Sequence, residues 1–357
     1  MICCQDVEVI DDFEGMIKIK DSWLSLYSRS KVKSVFNSFE WVSIWSEHYK
    51  AYIERLFIIT FKIKSELVAI IPLYIRKNDK DILWFVGSGE PEEAETCSEG
   101  QDILCLSETI FPKLPSLKKL VRNQGIKEAK FTNVRRDSLL MKWIQKEKNR
   151  DICASVGYRF FIPTCPLDKE LAKKTLRGRR AAEKVNAVVK RIESAEELEK
   201  IYPELIKLNS QRWTEKGEQA IFENVTFRQF HLSLAHALLE SHKLSIVSLE
   251  KNNKVIAINY SMVSGDDLIF YQNGVDTKYK PNLSPGMLLH YHQYCFAKSM
   301  GLASYDFMTS ANLNGYKKNL ASEQEEVFKM DVFFNSSDYH ISKMKKSVKS
   351  IIRRVIV

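Results

Sequence analysis

The spacing of apolar residues along this chain switches repeatedly between a helical and a strand period. Residues 13–28 carry Met16, Ile17, Trp23, Leu24 and Leu26 at helical spacing. Residues 40–49 repeat the pattern with Trp41, Ile44, Trp45 and His48, and Ser38 stands where an N-cap belongs. Residues 55–64 and 66–76 alternate around Lys64-Ser65 and predict a hairpin in which Pro72 confines one strand to an edge or a bulge. Strand patterns recur at 81–87 and 102–105. Helix, strand and helix then follow at 115–123, 127–133 and 139–146, with a further strand at 157–164. Thr164-Cys165-Pro166-Leu167-Asp168 reads as a hinge. Residues 169–191 predict a strongly basic helix that Gly178 interrupts. Amphipathic helices follow at 195–211 and 227–241, and a hairpin joins 244–249 to 255–263 across an Asn-rich turn. Residues 327–334 close as a strand, and 341–357 form a basic amphipathic helix. The whole reads as α/β, with both halves running through helices, a hairpin, then strand–helix–strand.

The stretch from Leu268 to Lys317 holds the most chemistry. Leu268-Ile269-Phe270-Tyr271 is a buried strand, and a polar loop over 272–283 ends in Ser284-Pro285-Gly286. A helix opens at Met287-Leu288-Leu289 and stops at Gly301; a second strand, 303–308, leads through a polar turn to Tyr316-Lys317. Pro in a first helical turn needs no donor, and Gly beside it allows close approach. Such an entrance can present backbone N–H groups and a positive dipole end to an anion, or serve only as a helix start.

Composition narrows the classes. The chain has 357 residues, enough for two domains, with apolar and charged fractions that exclude disordered and fibrous proteins. The longest apolar run, 67–75, is strand-sized and contains Pro72, so no bilayer span is expected. The first residues turn acidic at once, unlike a secretory signal. Seven cysteines without a C-x-x-C or zinc spacing point to reduced thiols in the cytoplasm and to no metal. The net charge of +9 gathers in 169–191 and 343–354; it could attract a polyanion or an anionic lipid, or solvate helix faces.

The residues in order carry a likeness. Arg212-Trp213, Gly217, Phe222, Phe230, Ala257, Tyr271, Gly274-Val275-Asp276, Ser284-Pro285-Gly286-Met287-Leu288-Leu289, Asp306-Phe307 and Tyr316-Lys317 stand as in one family, with looser matches at Phe39-Glu40-Trp41, Ile71-Pro72-Leu73 and Phe85–Gly89. The chain resembles the CelD-like acetyltransferases of the GNAT superfamily. That resemblance implies two tandem GNAT-like modules, as in Fem-type transferases, over 1–165 and 166–340, followed by a C-terminal basic helix, 341–357. It implies acetyl-CoA or another acyl-CoA as co-substrate. The pyrophosphate would lie on Ser284, Gly286, Met287 and Leu288, and Tyr271, Gln272 and Asn273 would border the pantetheine arm. Arg212, Trp213 and Glu215 would face a small-molecule or sugar acceptor, with Trp213 also readable as core.

Acyl transfer needs a place for the acceptor's proton. Asp306 is the one carboxylate in the strand 304–308, readable as a base or as a cap of the 311–315 turn. Tyr316 would serve as acid toward the leaving thiolate and Lys317 as a cation for phosphate or carboxylate. The family's usual acidic residue before Tyr-Lys is absent from the longer loop 309–315. His290, one turn after Gly286, is a secondary candidate base; His231, His236 and His242 read as helix-surface residues. Two other readings stand beside acyl-CoA transfer. One is Fem-like aminoacyl transfer from tRNA, suggested by the basic residues 169–191; DNA binding is not expected. The other is a catalytically degenerate GNAT-fold module, with the C-terminal helix as a peripheral membrane contact.

Overall fold

In a computed structural model, residues 6–110, 114–146, 150–279, 284–311 and 315–344 are described. They form two compact units: Met1–Gly89 with Cys97–Val156 and Glu326–Val357, and Glu90–Thr96 with Gly157–Glu325. The expected mixed α/β architecture is present in both.

The first unit opens with β1 (Asp6–Ile10), α1 (Phe13–Lys18), α2 (Lys20–Arg29) and α3 (Phe39–His48). Ser38 caps α3 by accepting from the Trp41 N–H, as its position predicts. Then come β2 (Ile53–Ile63), β3 (Glu66–Arg76), β4 (Asp79–Phe85), the short β5 (Leu104–Cys105), α4 (Leu117–Leu120), β6 (Glu128–Arg135) and α5 (Leu139–Lys146). The sheet order is β1-β2-β3-β4-β6, and β5 lies on β3. The far side of β6 is occupied by residues 327–333, which arrive from the other end of the sequence. Pro72 sits in a strand paired on both sides, contrary to the edge or bulge expected. Its ring falls where β3 changes partner, after pairing β5 at Ala69 and Ile70 and before pairing β4 from Leu73, so no ladder bond is lost. The core includes Phe57, Phe61, Leu73, Phe131 and Trp143, with Phe328, Met330, Val332 and Phe334. Asp102 is buried beneath α5 and accepts from the Ile103, Leu139 and Leu140 N–H groups. Burial pushes its carboxyl up to about 6, against the pull of those bonds.

The second unit starts within β7 (Arg150–Pro163) and continues through α6 (Lys169–Lys184), β8 (Val188–Arg191), α7 (Ala195–Thr214), α8 (Val225–Glu240), β9 (Leu244–Lys251), β10 (Lys254–Ser264), β11 (Asp267–Val275), α9 (Pro285–Ser299), β12 (Ser304–Ser310) and α10 (Tyr316–Leu320). Its sheet runs β8-β9-β10-β11-β12, with residues 158–163 of β7 beyond β12. The basic helix expected over 169–191 ends at Lys184. Asn186 is left-handed (φ 54°), and Val188-Val189-Lys190-Arg191 pairs with β9, as β-branched residues favour. Gly178 is buried within an unbroken helix. Asn252 and Asn253 are both left-handed, which closes the β9–β10 hairpin as the Asn-rich turn predicts. α9 and α8 cover opposite faces of β11, where successive residues Phe270 and Tyr271 meet His290 and His231. A helix is present over 336–344; the rest of the expected C-terminal helix lies outside the described residues. Among those residues no helix is long and apolar enough to cross a membrane.

Candidate functional site

The feature that shapes the second unit is a parallel pair that gives way. β11 and β12 are in register at Asp267↔Ser304, Leu268↔Tyr305 and Ile269↔Asp306, and then the ladder stops. Both strands run on, to Val275 and Ser310. Two irregularities accompany the parting. Tyr271 is the extra residue of a bulge, since Tyr260 pairs with Gln272 and Ser261 with Phe270. On β12 the register to β7 breaks between Asp306 and Thr309, with Met308 left-handed (φ 63°). A notch therefore opens between the strands beyond residues 269 and 306.

α9 begins beside this notch. Its N-cap Ser284 is itself left-handed (φ 46°, ψ 63°) and makes no side-chain capping bond, and Pro285 occupies the first turn. First-turn N–H groups have no intrahelical acceptor, so this end carries donors and a positive dipole end. A cavity of about 220 Å³ adjoins it, lined by Ser284, Met287 and Leu288 of α9 and by Lys174, Thr175, Arg177 and Gly178 of α6. Such a space admits a phosphate or diphosphate. Among the described residues beyond its own helix, a Cβ at Gly286 would meet only Val275 Cγ2, at 4.0 Å. Three of the four residues expected to hold a pyrophosphate thus line one cavity. Lys174 and Arg177 join them, brought in by the packing of α6 that sequence alone did not supply.

Beneath the notch lies a buried polar cluster. His290, 2% exposed, sits 4.6 Å from the Phe270 ring and 5.2 Å from the Phe307 ring. Its Nδ1 lies 2.8 Å from the Tyr305 hydroxyl and 3.3 Å from Asn259 Nδ2. Burial, helped by the positive charges of Lys317 and Arg212, pushes the ring down to about 3, so it is neutral at any physiological pH. On the α8 face His231 is fully buried, contrary to the surface position expected. The Tyr271 hydroxyl lies 2.5 Å from the Thr96 carbonyl, its acceptor, and 2.9 Å from His231 Nε2. Tyr271 therefore faces α8 and not the notch.

The remaining expected residues divide. Arg212 donates to Asn273 Oδ1 at 2.6 Å, and Asn209 donates to the Asn273 carbonyl. Asn209 Nδ2 also reaches Gln272 Oε1, at 3.4 Å. The Tyr316 ring is 6.3 Å from the His290 ring, and Lys317 donates to the Thr309 carbonyl. Partial burial raises the Tyr316 phenol above its ordinary range, while Arg212 pulls it down. Arg212, Asn273, Tyr316, Lys317 and His290 thus share one neighbourhood. Trp213 is half-buried, with Lys216 Nζ 4.6 Å over its ring, and Glu215 is exposed. Asp306 is elsewhere. Tyr305 and Phe307 contact His290, so alternation turns Asp306 to the other face of β12, where it accepts from Arg159 at 2.6 Å and from the Met308 N–H at 2.7 Å. Arg159 also binds Asp267, at 2.7 Å. A carboxylate committed to a guanidinium and a backbone N–H holds the β12 bulge in place. Part of the 309–315 loop, 312–314, lies outside the described residues.

The two buried histidines make this unit acid-labile. The unfolded chain takes up their protons near pH 6.5, while the native rings refuse them, so protons favour unfolding. Stability is intact above pH 6.5 and falls below it by about 1.4 kcal/mol per pH unit for each ring, down to about pH 3 for His290. Urea titrations read by hydrogen exchange in 225–240 and 285–299 will show midpoints dropping steeply from pH 6.5 to 4.5. Constant midpoints would contradict the burial of these rings as neutral species.

Residues 169–318 match the acetyltransferase (GNAT) domain family. The solved structure of FemX is similar over 90% of this chain and 98% of its own, at 11% identity and a TM-score of 0.62. The C-terminal domain of a proposed lysylphosphatidylglycerol synthetase from Agrobacterium fabrum matches over 93% of this chain and 96% of its own, at 13% identity and a TM-score of 0.57. L-PGS from Bacillus licheniformis gives 94% and 96%, at 10% identity and a TM-score of 0.57. No curated protein matches the chain. At these identities the likeness is one of fold, and the GNAT-type domain is the one over residues 169–318.

Proposed function

We propose that this chain transfers an acetyl or other acyl group from acyl-CoA to an amine or hydroxyl, and that it is CelD-like in acting on a sugar, a polysaccharide precursor or an envelope metabolite. One observation carries the reading: an uncapped helix N-terminus and two cations enclose a diphosphate-sized cavity beside a parted strand pair. Backbone N–H groups of Gly286 and Met287 would hold the pyrophosphate, with Lys174 and Arg177 adding charge; the Leu288 N–H is already given to the Ser284 carbonyl, at 3.1 Å. The pantetheine arm would hydrogen-bond along the unpaired edges of β11 and β12, past Gln272 and Asn273. Tyr316 would protonate the departing thiolate. Arg212 and Lys317 give the site a positive potential that favours an anionic transition state, and Trp213 and Glu215 would border the acceptor.

Calorimetric titration with acetyl-CoA is the direct test. Lys174→Ala and Arg177→Ala should each weaken binding by about 1 kcal/mol, roughly fivefold, because both side chains are exposed to solvent. Heat-free titrations up to millimolar acetyl-CoA would end the proposal.

A second reading has its own observation. Lys169, Lys173, Lys174, Arg177, Arg180 and Lys184 are all exposed on α6, a density suited to a nucleic-acid backbone. An aminoacyl-tRNA donor, as in Fem-type transfer, would use it. Binding of tRNA that weakens steeply with salt, in a protein that ignores acetyl-CoA, would select this reading.

A further inference from the structure

We infer that His290 donates a hydrogen bond from Nε2 to the carbonyl of the bound thioester, its tautomer set by a one-way chain of hydrogen bonds that begins at Arg191. The inference rests on the acyl-CoA reading above and adds a residue to it.

The chain can be followed bond by bond. Arg191 has no acceptor, so its bond to Ser245 makes the serine oxygen the acceptor. Ser245 then gives its own proton to Gln293 Oε1, at 2.6 Å. That contact orients the Gln293 amide, whose Nε2 donates to the Ser245 carbonyl at 2.8 Å and to Asn259 Oδ1 at 3.2 Å. Ser261 donates to the same Asn259 oxygen, at 2.8 Å. Asn259 must therefore turn its NH₂ the other way, toward the Tyr305 hydroxyl at 3.2 Å and His290 Nδ1 at 3.3 Å. Tyr305, accepting from Asn259, gives its proton to Nδ1 at 2.8 Å. Every member from Ser245 to His290 is at most 2% exposed. Ser261 also lies within hydrogen-bonding reach of Tyr305; with the Asn259 NH₂ turned toward Nδ1, a proton on Nδ1 would set two donors face to face in a low-dielectric interior, which leaves that nitrogen the accepting role.

The consequence falls on the ring. Nδ1 can only accept, so the single proton of the neutral imidazole is on Nε2. Among the described residues no group accepts from Nε2, and it is not one of the fully buried polar atoms lacking a partner. The residue is only 2% exposed, so an acceptor for Nε2 would have to come from a ligand entering beside Phe270 and Phe307. The ring contacts Phe270 and Phe307, each one residue past the last β11–β12 pair, which puts it at the apex of the notch where a thioester would enter. An N–H there that cannot become imidazolium stabilises charge on oxygen without exchanging a proton. In the step itself the acceptor's lone pair forms the new bond to the carbonyl carbon, and the C–S bond breaks. The acceptor's proton leaves to solvent, the thiolate takes one from Tyr316, solvent returns one to the phenolate, and His290 keeps its own throughout.

Two measurements decide the matter. In ¹⁵N-histidine-labelled protein, the His290 signals, assigned by their loss in His290→Gln, should show a protonated Nε2 and a bare Nδ1 from pH 5 to 8. Asn259→Asp puts an acceptor where the donor stood and should move the proton to Nδ1. In the second measurement, the carbonyl stretch of bound [1-¹³C]acetyl-CoA should shift down from its free value. That shift should persist in His290→Gln, whose amide reaches the Nε2 position, and disappear in His290→Asn and Asn259→Asp. Failure of acetyl-CoA to bind the native protein overturns this inference together with the reading beneath it. Binding without a carbonyl shift, or a proton on Nδ1 in the native protein, overturns the inference alone.

Discussion

A chain stopped after Glu325 will not keep its first unit folded. The missing segment supplies six register pairs to β6, from Val327↔Arg135 to Phe333↔Glu128. It also supplies Phe328, Met330, Val332 and Phe334, all at most 8% exposed in the core of that unit. Four such side chains at about 1.5–3 kcal/mol each amount to roughly 6–12 kcal/mol, which is comparable to the whole stability of an ordinary domain. Amide protection in 128–135 should vanish in the truncated chain and return on adding a synthetic peptide of residues 323–340. Native protection in the truncated chain would show that the returning strand is dispensable.

Gly286→Glu should weaken acetyl-CoA binding by roughly a hundredfold while leaving the fold intact. Among the described residues beyond its own helix, only Val275 lies within 4.0 Å of a Cβ at this position, and its backbone is ordinary helix, so the change brings little steric strain. What it adds is a negative charge at the mouth of α9. At about 5 Å from a phosphate and an effective dielectric of about 20, that repulsion is about 3 kcal/mol. Gly286→Ala is the control: it keeps the N–H groups, adds no charge, and should bind acetyl-CoA as the native protein does. Equal affinities for the glutamate and alanine variants would remove the diphosphate from this helix end.

The succession of elements was legible because it is written locally. The start of α9 was marked by Ser284-Pro285-Gly286, the α3 cap by Ser38, and the β9–β10 turn by its asparagines. Pairing is not local, and there the sequence was silent. A strand's alternation does not record its partner, so nothing in 327–333 pointed to β6, nor anything in Asp306 to Arg159, 147 residues away. Two departures from the expected elements do carry local signals. Val188 and Val189 are β-branched and follow an asparagine, which suits a helix end and then a strand. His231 occupies the same helical stripe as Phe227, Leu234 and Leu238, so its burial could have been read from the period of α8. The His290 chain was beyond reach: Ser245, Asn259, Gln293 and Tyr305 are ordinary polar residues until folding lines them up.

The route of the chain also sets a timetable for its synthesis. A ribosome that has just made Val156 must add roughly 170 more residues before Val327 exists, about 10–30 s at ordinary elongation speeds. During that interval β6 is a bare edge, with open N–H and C=O groups on the side that the C-terminal strand will later take. A chaperone that shields nascent edges should therefore raise the yield of this protein more than that of one whose domains close in the order they are translated.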